Sequence, residues 1–122
     1  QKTAYEIKEC DWSSDVCSSD LAQYLSALQP ALAAALLHAP DLAFYVAGVD
    51  VAAGDRYGRL ALTDAGVRAR DRQVIETLRD AGIPVVIVLG GGYAATTLRT
   101  AQLHALVFEE ALRRWQQERA EI

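Results

Sequence analysis

Apolar residues recur at helical spacing near both ends of the chain. Leucines occur every three or four residues between Tyr24 and Leu37, which predicts a helix that Pro30 kinks or restarts and Pro40 stops. Thr63 predicts the cap of a second helix, which Gly82 and Pro84 end. A long terminal helix is predicted by apolar residues on one face, namely Leu98, Ala101, Ala105, Phe108, Leu112 and Trp115.

Two short, continuously apolar runs predict strands that are buried on both faces. They are Leu42–Ala47 and Val85–Leu89, and the second helix lies between them, with a buried stripe of Val67, Val74 and Leu78. Strand, helix and strand in this order form a βαβ unit, which places the two strands parallel. The predicted fold class is therefore α/β.

The first 21 residues differ in composition from the rest. They contain both lysines, both cysteines and four of the five serines, whereas residues 22–122 contain all ten arginines. The string DWSSDVCSSDL reads as the translation of a common sequencing-library adapter, so we exclude residues 1–21 from the fold. The alternative is a natural serine-rich linker. Residues 22–122 then form the biological part, rich in alanine and arginine as in GC-rich bacterial genomes.

Charge and hydropathy exclude several classes of partner. Residues 22–122 have ten arginines against eleven acidic residues, so we expect no nucleic-acid or acidic-membrane partner. No run of about 18 apolar residues occurs, which argues against a membrane span. The same residues have no cysteine, which excludes disulfides and thiolate metal sites there.

Candidate chemistry follows each predicted strand. Ligands of parallel α/β sheets collect at the carboxyl ends of the strands, where Asp50 follows the first strand and a glycine run with Tyr93 follows the second. If the strands are neighbours, Asp50 and Tyr93 face one crevice. From the residues alone, Asp50 is a metal ligand, a general base or a turn cap, and Tyr93 is a functional or a packing residue. The glycines allow close backbone approach or positive φ.

A nucleotide site is the competing interpretation of the glycine run. Residues 90–95 (GGGYAA) satisfy the loose dinucleotide fingerprint, whose amides cradle phosphate. That site needs an acidic residue about twenty positions later at the end of a strand, whereas Glu109 and Glu110 fall in the predicted terminal helix. His38 and His104 are interpreted as structural.

The string PDLAFYVAGVDVAAGDRYGRLALT and the later LGGGY resemble the C-terminal part of histone deacetylase-like proteins, which include acetoin-utilisation and acetylpolyamine deacetylases. The resemblance covers about Tyr24 to Ala111 and is closest to bacterial members. It implies an incomplete arginase/deacetylase-like fold with a parallel sheet. It also implies a cytoplasmic, zinc-dependent hydrolase that removes acetyl groups from acetyl-lysine or from small acetylated amines.

The resemblance assigns roles to individual residues. Asp50 matches a zinc ligand, Tyr93 matches the catalytic tyrosine that hydrogen-bonds the substrate carbonyl, and Gly91 and Gly92 line the substrate passage. Asp55 matches a structural aspartate. The family's Asp-x-His ligands and His-His dyad are absent, so we expect this chain alone to be inactive and to bind Zn²⁺ weakly at most. A catalytically dead member is the further alternative.

Overall fold

The computed structural model describes residues 21–121, which form an α/β arrangement as predicted. Its elements in chain order are α1 (Leu21–Leu37), β1 (Ala43–Ala47), α2 (Asp64–Asp80), β2 (Val85–Leu89) and α3 (Thr97–Ala120). Helix α1 continues through Pro30. The adapter prediction falls mainly outside the described residues, and Leu21, the last residue of that segment, is the first of α1.

The two strands are neighbours and run parallel, which confirms the predicted βαβ unit. Ala43 pairs with Val85 at one end of the ladder, and Ala47 pairs with Leu89 at the other. The carboxyl ends of both strands therefore lie side by side. The loops that carry the candidate residues start from adjacent points at one edge of this sheet.

The expectation that both strands are buried on both faces is wrong. All three helices pack against the face that carries Tyr45 and Ile87. The opposite face is bare, with Phe44 67% and Val46 63% exposed. Side chains alternate across a strand, so covering one face leaves every second residue in solvent. We call this the bare face; it also carries Val86 and Val88.

Helix α2 begins and ends as its sequence predicts. The Thr63 side chain caps it by accepting a hydrogen bond from the Gly66 amide at 3.1 Å. After the helix, Gly82 adopts φ +77°, a conformation that glycine tolerates without steric cost. The predicted stripe of Val67, Val74 and Leu78 is buried.

Helix α3 exists as predicted, but it packs through a different face. The predicted stripe is solvent-exposed; Leu98, Phe108, Leu112 and Trp115 are all at least half exposed. The buried residues are Leu103, Leu106, Val107 and Glu110. Leu103, Leu106 and Val107 pack into the core on this face, and the arginines of α2 bind acidic residues on α3 beside it. Arg68 and Arg72 both donate to the Glu110 carboxylate, and Arg79 donates to Glu118.

Candidate active site

Two loops meet at the carboxyl edge of the sheet. The loop after β1 contains residues 48–62 and is called here the aspartate loop; the loop after β2 contains residues 90–96 and is called the glycine loop. The Val49 amide donates to the Gly91 carbonyl at 2.7 Å, and the Arg56 amide donates to the Tyr93 carbonyl at 2.8 Å. These hydrogen bonds join the two loops into one surface.

Asp55 fixes both loops through its carboxylate. Its Oδ2 accepts from the amides of Tyr57 and Gly58 at 3.0 and 2.8 Å, and its Oδ1 accepts from the Tyr93 amide at 2.6 Å. Partial burial tends to raise the pKa of this carboxyl, but the three backbone donors outweigh burial and lower it overall. Asp55 therefore has the structural role that the resemblance implied.

Asp50 lies in the same loop and has no such partners. Within residues 21–121 its carboxylate accepts no hydrogen bond, so the turn-cap interpretation belongs to Asp55 rather than to Asp50. Its Oδ1 lies 3.1 Å from where a Cβ of Gly48 would stand. At Gly58 a Cβ would collide with the Asp50 backbone carbonyl, so only glycine fits there. The backbone at Asp50 is tightly packed while its carboxylate is left uncommitted.

Tyr93 combines a fixed backbone with an exposed side chain. The Tyr93 amide donates to the Asp55 carboxylate. The rings of Tyr93 and Tyr57 form a T-shaped pair, with centroids 5.1 Å apart and an interplanar angle of 82°. The side chain is 57% exposed, and the hydroxyl has no hydrogen-bond partner within the described part of the chain. The phenol can therefore donate to a ligand without breaking an internal bond.

None of the three glycines in the run has positive φ, so two of them are explained by close packing instead. A Cβ at Gly90 would stand 3.0 Å from the Gly48 Cα, and one at Gly92 would collide with Val49. A Cβ at Gly91 would meet nothing within 4 Å. Gly91 thus faces open space, whereas the small size of Gly92 is explained by packing. Their roles toward a substrate stay predictions.

The geometry of this loop disfavours a phosphate cradle. The amide of Tyr93 donates to the Asp55 carboxylate, and the amide of Ala94 donates to the Thr100 hydroxyl at 3.1 Å. Two amides that would bind phosphate are already used, and a carboxylate occupies the position beside one of them. Helix α3 begins only after its cap at Thr96. These contacts oppose the nucleotide interpretation.

The described residues provide one zinc-type donor at this edge but not a whole site. No cluster of three or more His, Cys, Asp or Glu side chains suited to a metal occurs within residues 21–121. Catalytic zinc takes three protein ligands. The uncommitted carboxylate of Asp50 fits one ligand position, and the other ligands are not among the described residues.

A buried polar cluster lies directly beneath the aspartate loop. Arg70 is 5% exposed and Asp71 is fully buried. Arg70 Nη1 donates to the Gly48 carbonyl at 2.5 Å, while its Nε and Nη2 donate to Asp71 Oδ1 at 3.0 and 2.8 Å. The Tyr45 hydroxyl also donates to Asp71 Oδ1, at 2.5 Å. Asp71 Oδ2 has no hydrogen-bond partner in the described part of the chain.

Sequence reasoning missed this cluster, although a signal was present. Arg70 and Asp71 lie three and four residues after Val67 and precede Val74 by similar steps, which places them on the buried stripe of α2. The predicted stripe contained Val67, Val74 and Leu78 and no charged residue. A charged pair at stripe positions indicates buried polar structure.

His104 lies beneath the glycine loop. Its Nε2 is 3.6 Å from where a Cβ of Gly92 would stand, and its buried Nδ1 has no hydrogen-bond partner among residues 21–121. Burial lowers the pKa of this imidazole, and the positive charge of Arg70 lowers it further. The interpretation of His104 as structural stays a prediction.

A cavity of about 540 Å³ lies away from this edge, between α1 and the sheet. Its lining is largely apolar and includes Leu28, Leu32 and Phe44, with Arg70 at one side. It contains neither Asp50 nor Tyr93.

None of the helices in the described part of the chain is long and apolar enough to cross a membrane.

Known proteins match this chain over most of its length. A family model described as the histone deacetylase domain matches residues 7–108. This range includes part of residues 1–21, whose assignment to adapter sequence stays a prediction.

Two relatives illustrate the match. An uncharacterised protein of Picosynechococcus sp. is 48% identical over 73 residues, which cover 60% of this chain and 22% of that protein. Histone deacetylase 2 of Arabidopsis thaliana is 36% identical over 78 residues, which cover 63% of this chain and 20% of that protein. The chain therefore spans about a fifth of the length of these curated relatives.

Proposed function

The chain belongs to the histone deacetylase family, and from that premise we propose that it forms part of a zinc-dependent hydrolase of N-acetylated amines. The proposed substrate is acetyl-lysine or an acetylpolyamine. One observation carries the proposal: the two hydrogen-bonded loops present an uncommitted carboxylate, Asp50, and an uncommitted phenol, Tyr93. The longer protein, of the length of its relatives, is called here the full-length protein.

Asp50 is the residue of this chain that would hold zinc. Its carboxylate is a ligand type that zinc accepts, and no hydrogen bond from the described residues competes for it. The chemistry that zinc supplies when bound is polarisation of the acetyl carbonyl and activation of a water molecule. The remaining ligands, and the histidine dyad that moves protons, are proposed to come from other parts of the full-length protein.

Tyr93 would donate a hydrogen bond to the acetyl carbonyl oxygen as negative charge builds there. Asp55 holds the backbone of Tyr93 and the Tyr57 ring contacts its side chain, so the donor is positioned before substrate arrives. A positioned donor of this kind is worth on the order of 10²–10³ in rate. The open space at Gly91 would admit the substrate chain past the backbone.

The proposal extends to the properties of the chain by itself. Because a single carboxylate cannot hold catalytic zinc, residues 21–121 alone should show no turnover and weak zinc binding at most. The full-length protein is proposed to be cytoplasmic and to act on small acetylated amines or acetyl-lysine, without a nucleic-acid or membrane partner. A catalytically dead homologue is the second candidate, because the family's other ligands are not among the described residues.

The test replaces Tyr93 with phenylalanine in the full-length protein. Tyr93→Phe should lower kcat on an acetyl-lysine peptide by about 10²–10³-fold, because it removes the donor to the carbonyl oxygen. The matched control is Tyr57→Phe, which removes an exposed hydroxyl from the ring that Tyr93 contacts and should leave kcat within about threefold. ATP and NAD binding, followed by calorimetry, should be undetectable in all three proteins.

Each other outcome would contradict a part of this proposal. A wild type that binds zinc but turns over neither acetyl-lysine nor acetylpolyamines is a dead homologue. A wild type that binds nucleotide and loses binding on Gly91→Val supports the nucleotide module. Equal kcat in wild type and Tyr93→Phe would remove Tyr93 from the mechanism.

A further inference from the structure

We infer that Arg70 is a positioning residue, which fixes the backbone of the aspartate loop and through it the carboxylate of Asp50. This inference rests on the proposed function only for its catalytic consequence. The structural claim is that one buried guanidinium, balanced by Asp71, holds the point where β1 ends and the loop begins.

The contact geometry places Arg70 where it controls the loop. Its Nη1 donates to the Gly48 carbonyl at 2.5 Å, two residues before Asp50. The Asp50 carboxylate lies over Gly48, with Oδ1 3.1 Å from where a Cβ of that glycine would stand. The Gly48 peptide is thus held by Arg70 from below while the carboxylate of Asp50 covers it. A shift of this peptide would move the carboxylate.

The surroundings of Arg70 restrict it to one orientation. Asp71 Oδ1 accepts from Nε and Nη2 of the guanidinium and from the Tyr45 hydroxyl. A planar guanidinium held through two nitrogens has its third nitrogen fixed in direction. That third nitrogen, Nη1, donates to the Gly48 carbonyl.

Stability alone is a poor explanation for this pair. Exchanging a buried ion pair for well-packed neutral side chains is often neutral or stabilising, so a core needs no arginine for its own sake. The other arginines of α2 show the contrast, because Arg68, Arg72 and Arg79 bind α3 with partly exposed side chains. Arg70 is the member of this series that is buried and directed at the loop.

The experiment uses a double variant that avoids a buried unpaired charge. Arg70→Met with Asp71→Asn keeps the volume and an acceptor for the Tyr45 hydroxyl, but removes the donor to the Gly48 carbonyl. Arg70→Lys is the conservative single variant, because the lysine ammonium can still donate a hydrogen bond to the Gly48 carbonyl. The control is Arg79→Met, which breaks an ion pair between α2 and α3 away from the loop.

The first readout is amide hydrogen exchange in the metal-free full-length protein. The Val49 amide reports directly on the loop because it donates to the Gly91 carbonyl. In the double variant, exchange at Val49 should accelerate on the order of tenfold or more, as expected when a charge-assisted hydrogen bond next to it is lost. Exchange within β2 should stay unchanged, Arg70→Lys should restore part of the protection, and Arg79→Met should behave as wild type.

The second readout is zinc release to a chelator, with kcat and KM measured alongside. The double variant should release zinc about 10–100-fold faster and lose a similar factor in kcat, the size found for groups that orient metal ligands, with KM changed little. Val49 exchange unchanged in a folded double variant would overturn the inference. If wild type holds no zinc, the proposed function fails while the exchange result still decides the role of Arg70.

Discussion

Acidic side chains have different surroundings in two regions of the molecule, the interface between α2 and α3 and the carboxyl edge of the sheet. Between the helices, acidic residues are paired: Glu110 accepts hydrogen bonds from Arg68, Arg72 and Arg113. At the sheet edge, Asp55 is fully used by backbone donors, while the carboxylate of Asp50, five residues earlier, accepts no hydrogen bond from residues 21–121. The difference separates charges that stabilise the fold from a charge that is available to a ligand.

The largest effect is expected from Asp50→Asn in the full-length protein. It should lower kcat/KM by at least about 10³-fold, equal to about 4 kcal/mol of barrier, because it removes a proposed zinc ligand. The unfolding free energy of the metal-free protein should change by less than about 0.5 kcal/mol, because the carboxylate has no hydrogen-bond partner among residues 21–121 to lose. Steady-state kinetics and urea unfolding measure the two quantities, and metal analysis shows whether zinc is lost. A large loss of stability without zinc would assign Asp50 to the structural class instead.

The second-largest effect is expected from Glu110→Gln, which should lower the unfolding free energy rather than the catalytic rate. Burial tends to raise the pKa of this carboxyl, but hydrogen bonds from Arg72, Arg68 and Arg113 lower it from 4.5 to about 2. Glu110→Gln should cost about 2–3 kcal/mol of unfolding free energy at pH 7, below the full value for a buried pair because the arginines are partly exposed.

The pH dependence of unfolding supplies the control for Glu110. A carboxyl whose folded pKa is depressed contributes its full stability above its unfolded pKa, and the contribution is lost as pH falls. For Glu110 the loss should occur between about pH 4.5 and pH 2. Urea unfolding across this range should show a shallower decline in Glu110→Gln than in wild type. Parallel curves for the two proteins would mean that the arginine contacts contribute little.

The smallest effect is expected from Asp55→Asn, which keeps the shape of the side chain and loses its charge. Three backbone donors would lose a charged acceptor, so the unfolding free energy should fall by about 1–2 kcal/mol. Because Asp55 also holds Tyr93, kcat should fall as well, but less than in Tyr93→Phe. Unfolding and steady-state kinetics on the same protein preparation give both values. Normal stability together with normal kcat would show that the backbone hydrogen bonds between the loops suffice without this carboxylate.

Local patterns in the sequence predicted the elements, while long-range contacts decided how they face one another. Both strands and the limits of α2 follow from short apolar runs, a threonine cap and a glycine stop. The face of α3 did not follow, because apolar residues at helical spacing occur on two of its sides. The side that contains Leu103, Leu106 and Val107 faces the core, and Glu110 on that side accepts hydrogen bonds from Arg68 and Arg72 of α2, a contact between elements that the spacing within α3 does not reveal.

The candidate site divides in a similar way. Strand adjacency brought the loops of Asp50 and Tyr93 together, as the βαβ pattern predicted. The contact of Arg70 with Gly48 was not predicted, because the two residues are 22 positions apart and the contact depends on how α2 lies against β1. The distinction between Gly91 and Gly92 also depends on a neighbour in space, Val49.

The tight contact at Gly58 limits how this loop can vary. Any side chain there would displace the carbonyl of Asp50, so the position tolerates no exchange while its neighbours Tyr57 and Arg59 are exposed. A mutant library or loop graft can therefore diversify Arg59, but must keep Gly58, and changes at Tyr57 must keep the ring that contacts Tyr93. Gly58 is thus the fixed position around which exposed positions of the aspartate loop can change.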